Sequence, residues 1–222
     1  MSADLRPVAA TLTRELSARY HTDVVTPDSW QAVLARLAAQ GAALGLGAIN
    51  STLAGWAREA FDALDPATSS RSVCLPQIGG EGAVVVMSAA ALADPVENIE
   101  TIAHEHEHAR VLKADADVQV FADYINGEMR ATVEARAYAV GAFARYLVTG
   151  AWQTADEIVA PLAHGYALDA ATREHCAVIV ASALASMRAG VVPPFEVCGV
   201  VLLVLRRHHP DSIVPDAFKV RA

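Results

Sequence analysis

Residues 94–108 read DPVENIETIAHEHEH and predict the helix from which the rest of the chain is interpreted. Asp94 is a helix-capping residue, Pro95 suits the first turn of a helix, and Glu97 follows at the capping-box position. The helix is predicted to run to about Lys113. Apolar side chains recur at helical spacing and predict one buried face, formed by Val96, Ile99, Ile102 and Ala103, with His106 continuing the stripe.

The same helix contains the pattern His-Glu-x-x-His at His104, Glu105 and His108. Histidines four positions apart project from one face of a helix, so both imidazoles can reach a single cation. Glu105 adjoins the first histidine and can face a water bound to that cation. Zinc lowers the pKa of such a water toward neutrality, and a carboxylate can accept its proton and pass it to a leaving amine. The pattern therefore predicts a zinc site of the metallopeptidase kind.

An alternative interpretation of the motif is a helix exposed to solvent. A solvated, charge-rich helix would place Glu105, Glu107 and Arg110 on the surface and leave the histidines as polar filler. The apolar stripe before the motif argues against this, because it makes the helix part of the core.

His106 points about 200° away from the two other histidines. We therefore expect a packing or hydrogen-bonding role for His106 and not a role as metal ligand.

A catalytic zinc site needs a third protein ligand and leaves its fourth position to water. The strongly helical segment 124–147 contains two acidic candidates. Glu134 is favoured because it lies among alanines, whose small side chains let another helix approach closely enough for a carboxylate to reach the metal. Glu128 is the alternative. It falls early in the helix, beside Gly127, where the helix dipole would favour a carboxylate without any metal.

The His-Glu-x-x-His motif, followed by Glu134 in an alanine-rich helix, resembles the gluzincin-type zinc metallopeptidases, which include small bacterial and phage-encoded members. The resemblance covers about residues 82–147. It implies three zinc ligands, His104, His108 and Glu134. It also implies Glu105 as the general base and a zincin-like core in which the edge strand of a small sheet aligns the substrate. An auxiliary His or Tyr that stabilises the oxyanion has only weak candidates in this chain, namely Tyr138, His164 and Tyr166.

Hydrophobic patterning predicts a mainly α protein with a small β-hairpin or sheet (α+β), folded as a single domain over residues 1–222. Further helices are predicted near 3–20, 28–40, 153–165, 169–188 and 195–207. Residues 72–75 and 83–88 carry the best strand signals and are joined by a glycine-rich segment. The second strand directly precedes the motif helix, where the resembling peptidases have a substrate-aligning edge. A purely structural hairpin fits the composition equally well.

Composition and charge narrow the class of protein. Hydrophobic residues make up 54% of the 222 residues and charged residues only 19%, which favours closely packed helices over disorder. The formal net charge is -8 and the basic residues are scattered, so nucleic-acid binding is disfavoured. The apolar run 197–205 is too short to span a bilayer. We therefore expect neither a nucleic acid nor a membrane as partner.

The amino terminus and the cysteines indicate the cellular compartment. Residues 1–7 lack the basic flank and the long apolar core of a secretion signal. Cys74, Cys176 and Cys198 are three in number and widely spaced, so they are predicted to be buried free thiols. A cytoplasmic location is expected, or the virion if the protein is phage-derived.

The sequence thus predicts a zinc-dependent peptidase that acts on a peptide or protein substrate. A ferritin-like di-metal protein needs paired Glu-x-x-His elements on separate helices, and the chain has one such element, Glu105 to His108. The stronger alternative is a non-catalytic phage or prophage structural or interaction protein, assembled into a larger complex, whose metal only stabilises a metallopeptidase-like scaffold. Glu105 favours the enzyme, because a purely structural metal site has no need of a carboxylate at that position.

Overall fold

The computed structural model describes residues 4–29, 72–76, 82–114, 128–165 and 167–219, together with 32, 33, 35, 36 and 39. These residues form a mainly helical protein with a small sheet, which confirms the predicted class. The elements are, in chain order, α1 (Arg6–Tyr20), β1 (Thr22–Val25), β2 (Val73–Pro76), β3 (Ala83–Val86), α2 (Ala89–Ala93), α3 (Pro95–Ala114), α4 (Glu128–Thr149), α5 (Ala155–Gly165), α6 (Ala170–Arg188) and α7 (Glu196–His208). Short 3₁₀ turns occur at Pro27–Ser29, Pro210–Ser212 and Asp216–Phe218.

The ends of the two central helices follow from local signals. The Asp94 carboxylate accepts hydrogen bonds from the backbone N–H groups of Val96 (2.7 Å) and Glu97 (3.2 Å), so Asp94 caps α3 as predicted. α3 ends at Ala114, one residue beyond the predicted end. Gly150, at a φ of 67°, ends α4, and its N–H donates to the Tyr146 carbonyl at 2.9 Å. The predicted start of α4 at residue 124 lies outside the described residues.

The described strands form one mixed sheet in the order β1-β3-β2. β2 and β3 pair antiparallel, with Cys74 opposite Val85, which confirms the predicted hairpin pairing. β1 was not predicted; it pairs parallel to β3, with Val24 opposite Val85. β3 is therefore the central strand among these three, and the expectation that the strand before the motif helix is a substrate-aligning edge is wrong. The neighbouring strand β2 packs against α3.

The main core lies between α3 and α4, with α1, α6 and α7 packed around them. Ile99, Ile102 and Ala103 of α3 are completely buried, as the apolar stripe predicted. α4 also places many small side chains in the core. The buried alanines of α4 are Ala131, Ala135, Ala137, Ala139, Ala142 and Ala144.

Two further findings bear on the sequence-based expectations. None of the described helices is both long enough and apolar enough to cross a membrane. The three cysteines are free thiols; Cys176 and Cys198 are buried as predicted, whereas Cys74 is only half-buried.

Candidate metal centre

Two helices bring three ligand-type side chains together. His104 and His108 lie one turn apart on α3, and Glu134 approaches them from α4. The Nε2 atoms of the two histidines are 3.1 Å apart. Each of them lies 3.5 Å from the same carboxylate oxygen, Oε2 of Glu134. The structure thus assembles the three residues that the sequence assigned as ligands.

The triangle formed by these three atoms matches the spacing that a metal ion requires. Ligands held at about 2.1 Å from zinc in a tetrahedron lie about 3.4 Å from one another. The observed separations of 3.1, 3.5 and 3.5 Å are close to this value. Two imidazole nitrogens and one carboxylate oxygen are also a known donor set for catalytic zinc. The cluster could therefore hold a metal ion without a large rearrangement.

The cluster is nearly closed to solvent on the side of His108. The exposed fractions of the side chains are 15% for His104, 5% for His108 and 10% for Glu134. Burial by itself would raise the pKa of Glu134, but the neighbouring His108 and His104 outweigh it and hold the pKa well below its usual range. Glu134 is therefore a carboxylate at neutral pH, which is the form that binds a metal.

Glu105, the expected general base, is buried beside the cluster, with 4% of its surface exposed. Burial raises its pKa to about 7, against the opposing effect of His104; the negative charge of Glu134 adds to the rise, and a hydrogen bond from the backbone of Cys74 reduces it. A carboxyl group that titrates near neutrality can both accept and release a proton there. The hydrogen bond also links β2 to the site.

His106 lies on the opposite face of α3 and takes no part in the cluster. Its Nδ1–H donates to the carbonyl of Ile102 at 2.7 Å, so that Nε2 is left to accept from the hydroxyl of Thr22 in β1 at 2.8 Å. Burial lowers the pKa of His106 to about 4, which keeps the ring neutral. The predicted packing and hydrogen-bonding role is confirmed, and the residue joins α3 to the sheet.

Glu107 was missed as an important residue at the sequence level. Its side chain is completely buried, and the guanidinium groups of Arg110 and Arg136 approach its carboxylate to 2.8 and 2.9 Å. The interpretation of α3 as a solvated, charge-rich helix, with Glu105 and Glu107 on the surface, is therefore wrong. Only the i, i+3 spacing of Glu107 and Arg110 hinted at a pair; nothing local indicated burial or the contribution of Arg136 from α4.

The remaining candidates from the sequence fall in different places. Tyr138 lies one turn after Glu134, and its ring contacts that of His104 at a centroid distance of 4.6 Å, edge to face. His164 is exposed in the last turn of α5. Tyr166 lies outside the described residues. Glu128 begins α4, and its side chain is likewise outside the described part.

No protein-family model, curated protein or solved structure matches this chain. The resemblance to gluzincin-type metallopeptidases therefore rests on the motif residues alone and stays an expectation. The positions of His104, His108 and Glu134 support a metal site independently of that resemblance.

Proposed function

We propose that this protein is a zinc-dependent peptidase with a zincin-like core. The observation that carries the proposal is the triangle of two Nε2 atoms and one carboxylate oxygen, with a fourth ionisable group, Glu105, buried next to it. Within the described residues the cluster has three members, which is the number of protein ligands in a catalytic zinc site. A mixed nitrogen and oxygen donor set suits zinc better than it suits magnesium or calcium.

Each side chain has a defined task in this proposal. His104, His108 and Glu134 would hold the zinc ion, which when bound would supply Lewis acidity and lower the pKa of water at the site. Glu105 accepts the proton of the attacking water and then delivers it to the leaving amine. Burial raises the pKa of Glu105 to about 7 in the metal-free protein, and a zinc ion beside it would lower that pKa and favour the carboxylate form that accepts a proton.

The first experiment counts the metal. Protein purified without added metal and then supplied with zinc should hold one equivalent by elemental analysis, and a chelator should remove it. Less than a tenth of an equivalent of any transition metal after supplementation would remove the basis of the proposal.

The second experiment separates metal binding from chemistry. Glu105→Gln should keep the zinc and the fold, yet lose peptide hydrolysis by about 10²–10⁴-fold, the usual contribution of a general base. The assay uses a broad peptide library at neutral pH. Glu97→Gln is the matched control, because Glu97 is a half-buried glutamate of the same helix outside the cluster, and it should retain activity. Equal inactivity of wild type and Glu105→Gln, both with zinc bound, would favour a non-catalytic scaffold with a structural metal.

A further inference from the structure

A group of charges around a buried carboxylate is formed by residues close in sequence to two of the candidate metal ligands. It consists of Glu107, Arg110 and Arg136 and is called the Glu107 cluster below. The Nε and Nη2 atoms of Arg110 donate to the two carboxylate oxygens of Glu107 at 3.0 and 2.8 Å. Nη2 of Arg136 approaches Oε1 of Glu107 to 2.9 Å from the other helix. One carboxylate thus connects α3 with α4.

The arrangement is not what stability alone would select. Transfer of a carboxylate and two guanidinium groups from water to the interior is costly, and a buried ion pair often adds nothing over an apolar replacement of similar volume. Glu107 is fully buried, while 20% of the Arg110 side chain and 32% of the Arg136 side chain are exposed. Within the described part of the chain, the buried Nε of Arg136 has no hydrogen-bond partner, which adds to the cost.

The position of the Glu107 cluster suggests a role other than stability. Glu107 immediately precedes the ligand His108, and Arg136 follows the ligand Glu134 by two residues. The guanidinium of Arg136 also lies over the ring of Phe195, at 5.4 Å from its centroid, just before α7. The contact between α3 and α4 is therefore fixed at the level of the ligands, and a third element supports it.

We infer that the Glu107 cluster fixes the separation of α3 and α4 so that His108 and Glu134 meet the same metal ion. This inference rests on the metal site proposed above. Glu107 and Arg136 are positioning residues: they do not touch the metal, but a shift of one helix by a few tenths of an ångström would change the distance between ligands on different helices. Residues that hydrogen-bond metal ligands directly change metal affinity about 10–100-fold when they are replaced; the Glu107 cluster acts through the helices, so we expect the lower end of that range.

The experiment compares two arginines of α4. Arg136→Met removes the bond to Glu107 but leaves Glu107 paired with Arg110. Arg145→Met is the matched control: Nη1 of Arg145 lies 2.8 Å from a carboxylate oxygen of Glu100 and also joins α4 to α3, and Arg145 is 34% exposed, as Arg136 is 32%. Glu100 is itself 21% exposed, so water can solvate it when its partner is removed. The readouts are the zinc dissociation constant of the folded protein by chelator competition, and the visible spectrum of the cobalt-substituted protein.

We expect the zinc dissociation constant of Arg136→Met to rise about tenfold or more, with a changed cobalt spectrum, and that of Arg145→Met to stay within about threefold of wild type. Equal dissociation constants for wild type and Arg136→Met, or equal losses in both variants, would overturn the inference. If Arg136→Met does not fold, Arg136→Gln decides: its shorter, uncharged side chain cannot form the ion pair with Oε1 of Glu107, and an unchanged zinc affinity would overturn the inference in the same way. A wild-type protein that binds neither zinc nor cobalt would instead refute the proposed function.

Discussion

Gly141 of α4 lies against the backbone of Glu100 of α3. A Cβ atom at Gly141 would stand 3.1 Å from the carbonyl oxygen of Glu100, 3.2 Å from its Cγ and 3.6 Å from the Cβ of His104. The absence of a side chain at this position is therefore what lets α4 approach the helix that carries the two histidines. The contact lies two turns after Glu134, on the same side of α4.

Gly141→Ala is expected to lower the free energy of unfolding by up to about 2 kcal/mol, because an overpacking cost of about 1–3 kcal/mol outweighs a gain in helix propensity of about 1 kcal/mol. It should also weaken zinc binding, since the strain falls on the turn that bears His104. Gly199→Ala is the control: Gly199 is a helical glycine of α7 with no described atom within 4 Å of an added Cβ. Its replacement should raise stability by about 0.5–1 kcal/mol through helix propensity. Urea denaturation measures the free energy of unfolding of both variants. A Gly141→Ala protein more stable than wild type would refute the close contact.

His106 makes the metal-free protein sensitive to acid. Burial lowers its pKa in the folded state to about 4, whereas a histidine in an unfolded chain titrates near 6.5. Between these values the unfolded chain binds a proton that the folded chain does not, so stability falls as the pH is lowered from about 6.5, by at most about 1.4 kcal/mol per pH unit from this residue. Below the folded pKa the loss ceases to grow.

The test is urea denaturation of the metal-free protein at several pH values between 7 and 4.5. His106→Gln keeps a polar group for the hydroxyl of Thr22 but does not titrate, so its stability should fall less steeply with acidification than that of wild type. Because His104 and His108 are present in both proteins, their titration cancels in the comparison. Parallel curves for the two proteins would contradict the assignment.

The structural features that the sequence predicted correctly are those determined by local signals. The cap at Asp94 and the hairpin pairing of β2 with β3 each depend on residues close together in the chain, and each is confirmed. The pair His104 and His108 belongs to this class as well, because helix geometry alone places the two side chains on one face.

Two features that escaped prediction, β1 and the burial of Glu107, depend on contacts between distant segments. β1 is only four residues long and pairs with β3, about sixty residues later in the chain, so its own sequence could not show the pairing. The burial of Glu107 depends on Arg136 from another helix. A charged residue in a charge-rich helix looks solvent-exposed until its partner is known.

The third ligand can be tested by comparing two substitutions in α4. Glu134→Gln keeps the size of the side chain and removes the anionic oxygen that lies 3.5 Å from both histidines. We expect it to weaken zinc binding by about 100-fold or more, because two remaining ligands rarely hold zinc in competition with buffer. Glu128→Gln, at the start of the same helix, should leave the zinc affinity near that of wild type. If only Glu128→Gln releases zinc, the ligand assignment is wrong although the class of enzyme is not.

Tyr138 offers a last test of how the ligands are oriented. Its ring meets the His104 ring edge to face at a centroid distance of 4.6 Å, a contact of the kind that contributes about 0.5–1.5 kcal/mol beyond burial. Tyr138→Phe keeps the ring, and Tyr138→Leu removes it. We expect zinc affinity to be unchanged in Tyr138→Phe and to fall by at most roughly 3–10-fold in Tyr138→Leu; this upper limit applies if the whole contact energy serves to hold His104 in its ligating orientation. Equal losses in the two variants would assign the effect to the hydroxyl group. A lower kcat for Tyr138→Phe with unchanged zinc affinity would show that the hydroxyl acts on the substrate, as the oxyanion-stabilising role considered from the sequence requires.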